Sequence, residues 1–172
     1  MKKRVYLDFS IIASIVIFFT YRWFTEREDA ASEIDAIIPW ILEVKKNIFE
    51  MGRIPMWNPN WFCGGSFVLM FKDLLNILLV IPFTFFFDYY TAPKVALVFY
   101  LIVSGMAMYH FIYRILKDRD AALLGGVIYA IHPVHLAVTG FHGHMAFSIF
   151  YVFIPMSLLM LQKAFVKQNT KY

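Results

Sequence analysis

The sequence predicts an all-α fold, a polytopic bundle of membrane helices. Three observations carry that prediction. Of 172 residues, 60% are hydrophobic and only 16% charged, where a soluble domain has about 45–50% apolar and about 25% charged residues. The apolar residues come in blocks close to the roughly 20 residues that cross a bilayer. The Lys and Arg residues behind the net charge of +4 gather between those blocks rather than along one face.

Met1-Lys-Lys-Arg4 precedes the first block. No small-residue cleavage site follows that block; Tyr21-Arg-Trp-Phe-Thr-Glu comes instead, so it reads as an uncleaved helix over 9–24 and not as a signal peptide. A long mixed segment, 25–94, comes next. Within it Ile34, Ile37, Ile38, Ile41, Leu42, Ile48 and Phe49 recur at helical spacing, while Glu43, Lys45, Lys46 and Glu50 fall off that stripe. This is the pattern of an amphipathic helix lying on a bilayer surface. Pro39 belongs in its first turn or kinks it. A start near Pro39 leaves Glu33 and Asp35 in the approach, and Gly52 ends the helix. Residues 74–87, bounded by Asp73 and Asp88 and broken by Pro82, are too few to span and read as interfacial or re-entrant. Further spans are expected at 95–115, 121–141 and 145–161.

The distribution of Lys and Arg orients these spans. With four of them, Lys2-Lys3-Arg4, the 114–119 turn and the tail carrying Lys163, Lys167 and Lys171 all fall on the cytoplasmic side. Counting 74–87 as a fifth span would put the last two clusters outside. The four-span arrangement is therefore expected: a cell-membrane protein with both termini cytoplasmic, with 25–94 and Gly140-Phe-His142-Gly-His144 sharing the outer face. The composition shows no aromatic and basic interleaving of the kind that binds nucleic acid. The single cysteine, Cys63, forms no internal disulfide.

Three polar constellations fall on the expected outer face. Glu26, Glu28, Asp29, Glu33 and Asp35 are oxygen donors suited to a divalent cation, or to a general base acting on a hydroxyl; a solvated loop is the bland alternative. Asp35, between Ile34 and Ala36, is the acid nearest apolar surface, where desolvation raises a carboxyl pKa. Pro55-Met-Trp57-Asn58-Pro59 excludes a helix interior. There Trp57 and Trp61 suit either stacking on a sugar or anchoring among headgroups, and Asn58 offers two donors and an acceptor. Arg53 adjoins this loop and, with Arg22 and Lys72, suits either a lipid phosphate or ordinary headgroup contact. Four histidines cluster at 132, 135, 142 and 144. Without HExxH or CxxC spacing they read as pocket lining more than as a metal site, with His142 and His144 on a phosphate or hydroxyl.

Asp35 ahead of an amphipathic helix, then Gly52-Arg-Ile-Pro55-Met-Trp57-Asn58-Pro59, Cys63-Gly64-Gly65, an interfacial stretch, and Gly143-His144 before a span with Pro155 form a longer pattern. Along nearly its whole length the chain resembles the N-terminal part of YfhO-like multi-pass membrane proteins, grouped with the GT-C glycosyltransferases. The resemblance implies a GT-C-like bundle that takes sugar from a polyprenyl-phosphate donor on the outer face. It implies Asp35 as the catalytic or metal-binding acid, with Glu33 or Asp29 as alternatives. It also implies further helices beyond these four, in the same chain or a companion chain. The substrate-contacting set expected on both grounds is Arg53, Trp57, Asn58, His142 and His144. A non-catalytic membrane module binding a lipid-linked saccharide or a partner subunit is the alternative function.

Overall fold

Glycine and alanine at helical spacing decide how the longest helices meet. The computed structural model describes residues 2–25, 32–58, 64–66, 71–140 and 145–169, nearly all of them helical. Helices α1 (Lys2–Thr20), α2 (Arg22–Thr25) and α3 (Ser32–Phe49) lead to two short strands, β1 (Trp57–Asn58) and β2 (Gly65–Ser66). Helix α4 (Phe71–Val80), a 3-10 turn at Ile81–Phe85, and α5 (Thr91–Leu116), α6 (Arg119–Ala130), α7 (Pro133–Gly140) and α8 (Met145–Asn169) complete the order.

Two stretches, Thr91–Leu116 and Arg119–Ala137, are long and apolar enough to cross a membrane by length and composition. They pack against each other through small residues. A Cβ added at Gly105 would meet the Gly126 carbonyl oxygen and the Ala130 Cβ, each at 2.9 Å, and one added at Gly126 would meet the Gly105 carbonyl oxygen at 2.8 Å. Ala122, Gly126 and Ala130, one helical turn apart, are all buried, so the α5 and α6 backbones touch. This is the close approach that small residues at every fourth position permit. Ile12 and Val16 of α1 close the same cluster with Val98, Leu101 and Tyr109 of α5. Helix α8 joins through Tyr129, whose hydroxyl donates to the Tyr151 carbonyl at 2.8 Å.

The two ends of this assembly are fixed by polar contacts. At one end Asp8 of α1 is fully buried and accepts from the Tyr109 hydroxyl at 2.8 Å and from Arg119 Nε at 2.8 Å. The turn between α5 and α6 is tight here: Lys117 takes φ +57°, and Asp118 caps α6 by accepting from the Asp120 and Ala121 N–H groups at 2.8 and 3.1 Å. Lys163 of α8 comes within electrostatic reach of His110 at this end. At the other end Lys94 Nζ donates to the Trp23 carbonyl at 2.7 Å and lies 4.6 Å from the Tyr90 ring centre. Asp88 starts α5 there, accepting from the Tyr90 and Thr91 N–H groups at 2.9 and 3.0 Å. Hydrogen bonds from the Thr91 side chain and then its backbone hold the Asp88 carboxyl below the usual range.

Segment 32–85 differs from the sequence expectation in two ways. Helix α3 begins at Ser32, not near Pro39, so Pro39 is internal and Asp35 lies in the first turn. Its apolar stripe is covered by protein only in part: Ile41, with Val44 beside it, is fully buried against Leu74, Ile77 and Val80 of α4 and Ala96 and Leu97 of α5, while Leu42 and Phe49 stay exposed. An internal proline costs about 3 kcal/mol. Burying two such side chains returns about 1.5–3 kcal/mol each, enough to carry the helix through. Residues 74–87 are broken at Pro82 as expected, with α4 giving way to the 3-10 turn. The expected span at 121–141 is interrupted at 131–132, with Pro133 in the first position of α7, where its missing N–H costs nothing.

Candidate functional site

The loop singled out by the sequence is a built hairpin. Gly52, at φ +64°, turns the chain out of α3, and the Arg53 N–H reaches back to the Asn47 carbonyl at 3.1 Å. Pro55 is buried. Strands β1 and β2 then pair antiparallel, Trp57 opposite Ser66 and Asn58 opposite Gly65. Gly64 takes φ +113°, and a Cβ there would collide with the Trp57 indole ring. Glycine is needed at 64 for two reasons at once: the backbone angle and the ring laid against it.

The candidate residues fare differently. Trp57 contacts Gly64 with one part of its ring yet remains 57% exposed, an aromatic surface held in a fixed place. Arg53 is exposed but turned toward its own helix: Nε donates to Asn47 Oδ1 at 3.3 Å and one terminal nitrogen approaches Met51 Sδ at 3.3 Å. Asn47 in turn donates to the Glu43 carboxylate at 2.8 Å. Arg53 therefore belongs to a Glu43–Asn47–Arg53 chain that finishes α3. Asp35 and Asn58 are placed by backbone alone, in the first turn of α3 and in β1, and their side chains lie outside the described residues. His142 and His144 lie outside them entirely, as do Glu26, Glu28 and Asp29. Among the described residues no three His, Cys, Asp or Glu side chains gather as a metal site.

His132 and His135, two of the four clustered histidines, are 5.4 Å apart between ring centres. His135 stacks on Tyr151 of α8 at 3.6 Å and meets the edge of Tyr129 at 4.8 Å. It is buried, and among the described residues its Nδ1 has no hydrogen-bond partner. His132 Nδ1 accepts from the Val134 N–H at 3.3 Å, finishing the break before α7. His110 of α5 meets Phe9 of α1 edge-on at 5.2 Å.

Sequence reasoning missed two features. Asp8 sits one residue before the expected first span, and its signal was an acid adjoining an apolar run. Lys45 was placed off the apolar stripe of its helix, yet its Nζ lies 4.7 Å from the Phe85 ring centre and 5.2 Å from that of Tyr89. Those aromatics are some 40 residues away in the chain, so no local pattern joins them to it. No protein-family model, no curated protein and no solved structure matches this chain.

Proposed function

We propose that the chain is the N-terminal portion of a GT-C-like membrane glycosyltransferase, using a polyprenyl-phosphate-linked sugar on the extracytoplasmic face. The observation that carries this reading is the hairpin. Trp57 and Asn58, in the stretch on which the family resemblance rests, pair with Ser66 and Gly65, and Trp57 is held exposed against Gly64, as a loop that binds a sugar would require. In the proposed reaction an acceptor hydroxyl attacks the anomeric carbon and the bond to the phosphate oxygen breaks. Polyprenyl phosphate leaves, and Asp35 takes the hydroxyl proton or holds a divalent cation that steadies the phosphate. Trp57 stacks on the sugar, while Asn58, Arg53, His142 and His144 contact sugar or phosphate.

The proposed topology is four spans with both termini cytoplasmic. It is supported by the pairing of Asp8 with Arg119, which sets the start of α1 beside the turn between α5 and α6. A five-span path would separate Asp8 from Arg119 by the thickness of the bilayer.

A second reading, a non-catalytic module that binds a lipid-linked saccharide or a partner subunit, is favoured by one observation. The Arg53 side chain is already engaged by Asn47 and Met51, so it serves to finish α3. The two readings separate in membranes containing the chain with whatever companion helices it requires, supplied with a polyprenyl-phosphate-linked hexose. Release of polyprenyl phosphate should be lost in Asp35→Asn while membrane insertion is retained. Normal release in that variant would remove Asp35 from catalysis, and no release from the native protein would favour the binding module. A reporter fused after Tyr172 should read as cytoplasmic.

A further inference from the structure

Between α3 and the turn before α5 lies a groove of about 310 Å³, lined by Leu42, Lys45, Lys46, Phe49, Glu50 and Tyr89. Its base is the half-buried Lys45. The ammonium donates to the Thr84 carbonyl at 3.5 Å and to the Tyr89 hydroxyl at 3.4 Å, both long contacts, and faces the Phe85 and Tyr89 rings. Among the described residues no carboxylate pairs with it, and the one ion pair there is Asp8–Arg119. The two aromatic faces are worth about 0.5–2 kcal/mol each to the ammonium, and its half-buried position leaves it open to the groove. Lys46, exposed on the next position, brings a second positive charge to the same groove. The arrangement is a half-buried cation and an exposed cation lining one groove.

The rim says which anion. Phe49 and Phe85 meet edge to face at 5.4 Å and are each 58% exposed, and Phe86 is 83% exposed. Neighbouring exposed aromatics beside a cationic groove suit the boundary between headgroups and acyl chains. Glu50, on the same lining, repels a bare phosphate from its side but accepts hydroxyl hydrogens.

We propose that this groove binds the headgroup of an anionic glycerophospholipid, its phosphate on Lys45 and Lys46 and its free hydroxyls toward Glu50, while Phe49, Phe85 and Phe86 enter the lipid. The inference is independent of glycosyl transfer, since no residue of the groove is assigned a role there.

The test uses the purified full chain in neutral detergent, titrated with dioctanoyl phosphatidylglycerol, dioctanoyl phosphatidylcholine and glycerol phosphate. Phosphatidylglycerol should bind about tenfold or more tightly than either of the others. The Lys45→Gln/Lys46→Gln double variant should lose about tenfold in that binding, the worth of one charge-assisted hydrogen bond, whereas Lys45→Arg should keep it. Equal affinity for the two lipids, or binding unchanged in the double variant, would overturn the site. Glycerol phosphate bound as tightly as phosphatidylglycerol would overturn the lipid assignment. Should the double variant lose helix content, Lys46→Gln alone decides, because Lys46 is exposed: weakened binding supports the site, and unchanged binding overturns it.

Discussion

Asp8 and Arg119 meet across 111 residues of chain, with the carboxylate fully buried and the guanidinium partly open to solvent. Tyr109 of α5 donates to the same carboxylate, so three helices converge on one acid. A buried charge is tolerated when its lone pairs are met, and removing one partner leaves the other uncompensated. Arg119→Ala should therefore lower the thermal stability of the detergent-solubilised protein more than Asp8→Ala does, because it leaves the fully buried carboxylate without its cation, whereas a guanidinium without Asp8 is still open to solvent. The Asp8→Ala/Arg119→Ala double variant should be less unstable than the sum of the single variants. Additive losses in that cycle would show that the two side chains are not coupled. Tyr109→Phe, which removes one hydrogen bond and keeps the ring packing, should cost about 1.5 kcal/mol.

The contact between Gly105 and Gly126 leaves no room for a methyl group, since an added Cβ at either position lands within 2.9 Å of the opposing carbonyl oxygen. Gly126→Ala should push α5 and α6 apart and cost about 1–3 kcal/mol. Gly126→Leu should prevent the pair from closing. Crosslinking yield between cysteines introduced at Leu101 and Ala130 would report the separation; an undiminished yield in Gly126→Leu would contradict this packing.

Gly64→Ala should unmake the hairpin, by strain at φ +113° and by collision with the Trp57 ring. Positive-φ strain of this kind is worth about 1–3 kcal/mol, enough to open a two-residue ladder that has little else to hold it. Measured against a background in which the other three tryptophans are replaced by phenylalanine, Trp57 emission should shift and its quenching by iodide should rise. No change would mean that Gly64 is not what positions the ring.

Asp88 gives the first turn of α5 a pH dependence. Its carboxyl is held below its ordinary value by hydrogen bonds from Thr91 and Tyr90. A depressed acid contributes stability above its unfolded value, about 3.9, and loses it as the pH falls through its lower folded value. Measured against the intrinsic rate at each pH, amide exchange of Tyr90 and Thr91 should therefore quicken below about pH 4. Asp88→Ala should show the quickened exchange at every pH and lose about 1 kcal/mol, as other helix caps do. A pH-independent exchange pattern in the native protein would contradict the assignment.

Much of the architecture was legible in the sequence because it is written in local pattern. The helices at 91–116 and 145–169, the break at Pro82 and the turn at Gly52 each follow from runs of apolar residues or from one residue's backbone chemistry. The start of α3 was not legible, since a proline cannot show from sequence that later turns will be buried deeply enough to keep the helix through it. The candidate site was legible in part. The Trp-Asn-Pro and Gly-Gly signals mark a loop, and Gly64 is there because Trp57 lies on it. Arg53 carried no signal that its guanidinium would turn back to Asn47.

By itself the sequence determined the all-helical class and a polar, aromatic loop between helical segments, because hydrophobic periodicity and turn chemistry act over a few residues; of the four spans it led one to expect, two described stretches are long and apolar enough to cross a membrane. The tertiary structure alone decided that Asp8 is paired with Arg119, that α3 packs on protein, and that Lys45 lies between Phe85 and Tyr89 with no carboxylate among the described residues to pair with it. Each of those relationships joins residues far apart in the chain. Each depends on how closely two helices can approach, which small side chains such as Gly105 and Gly126 set only once the helices have met.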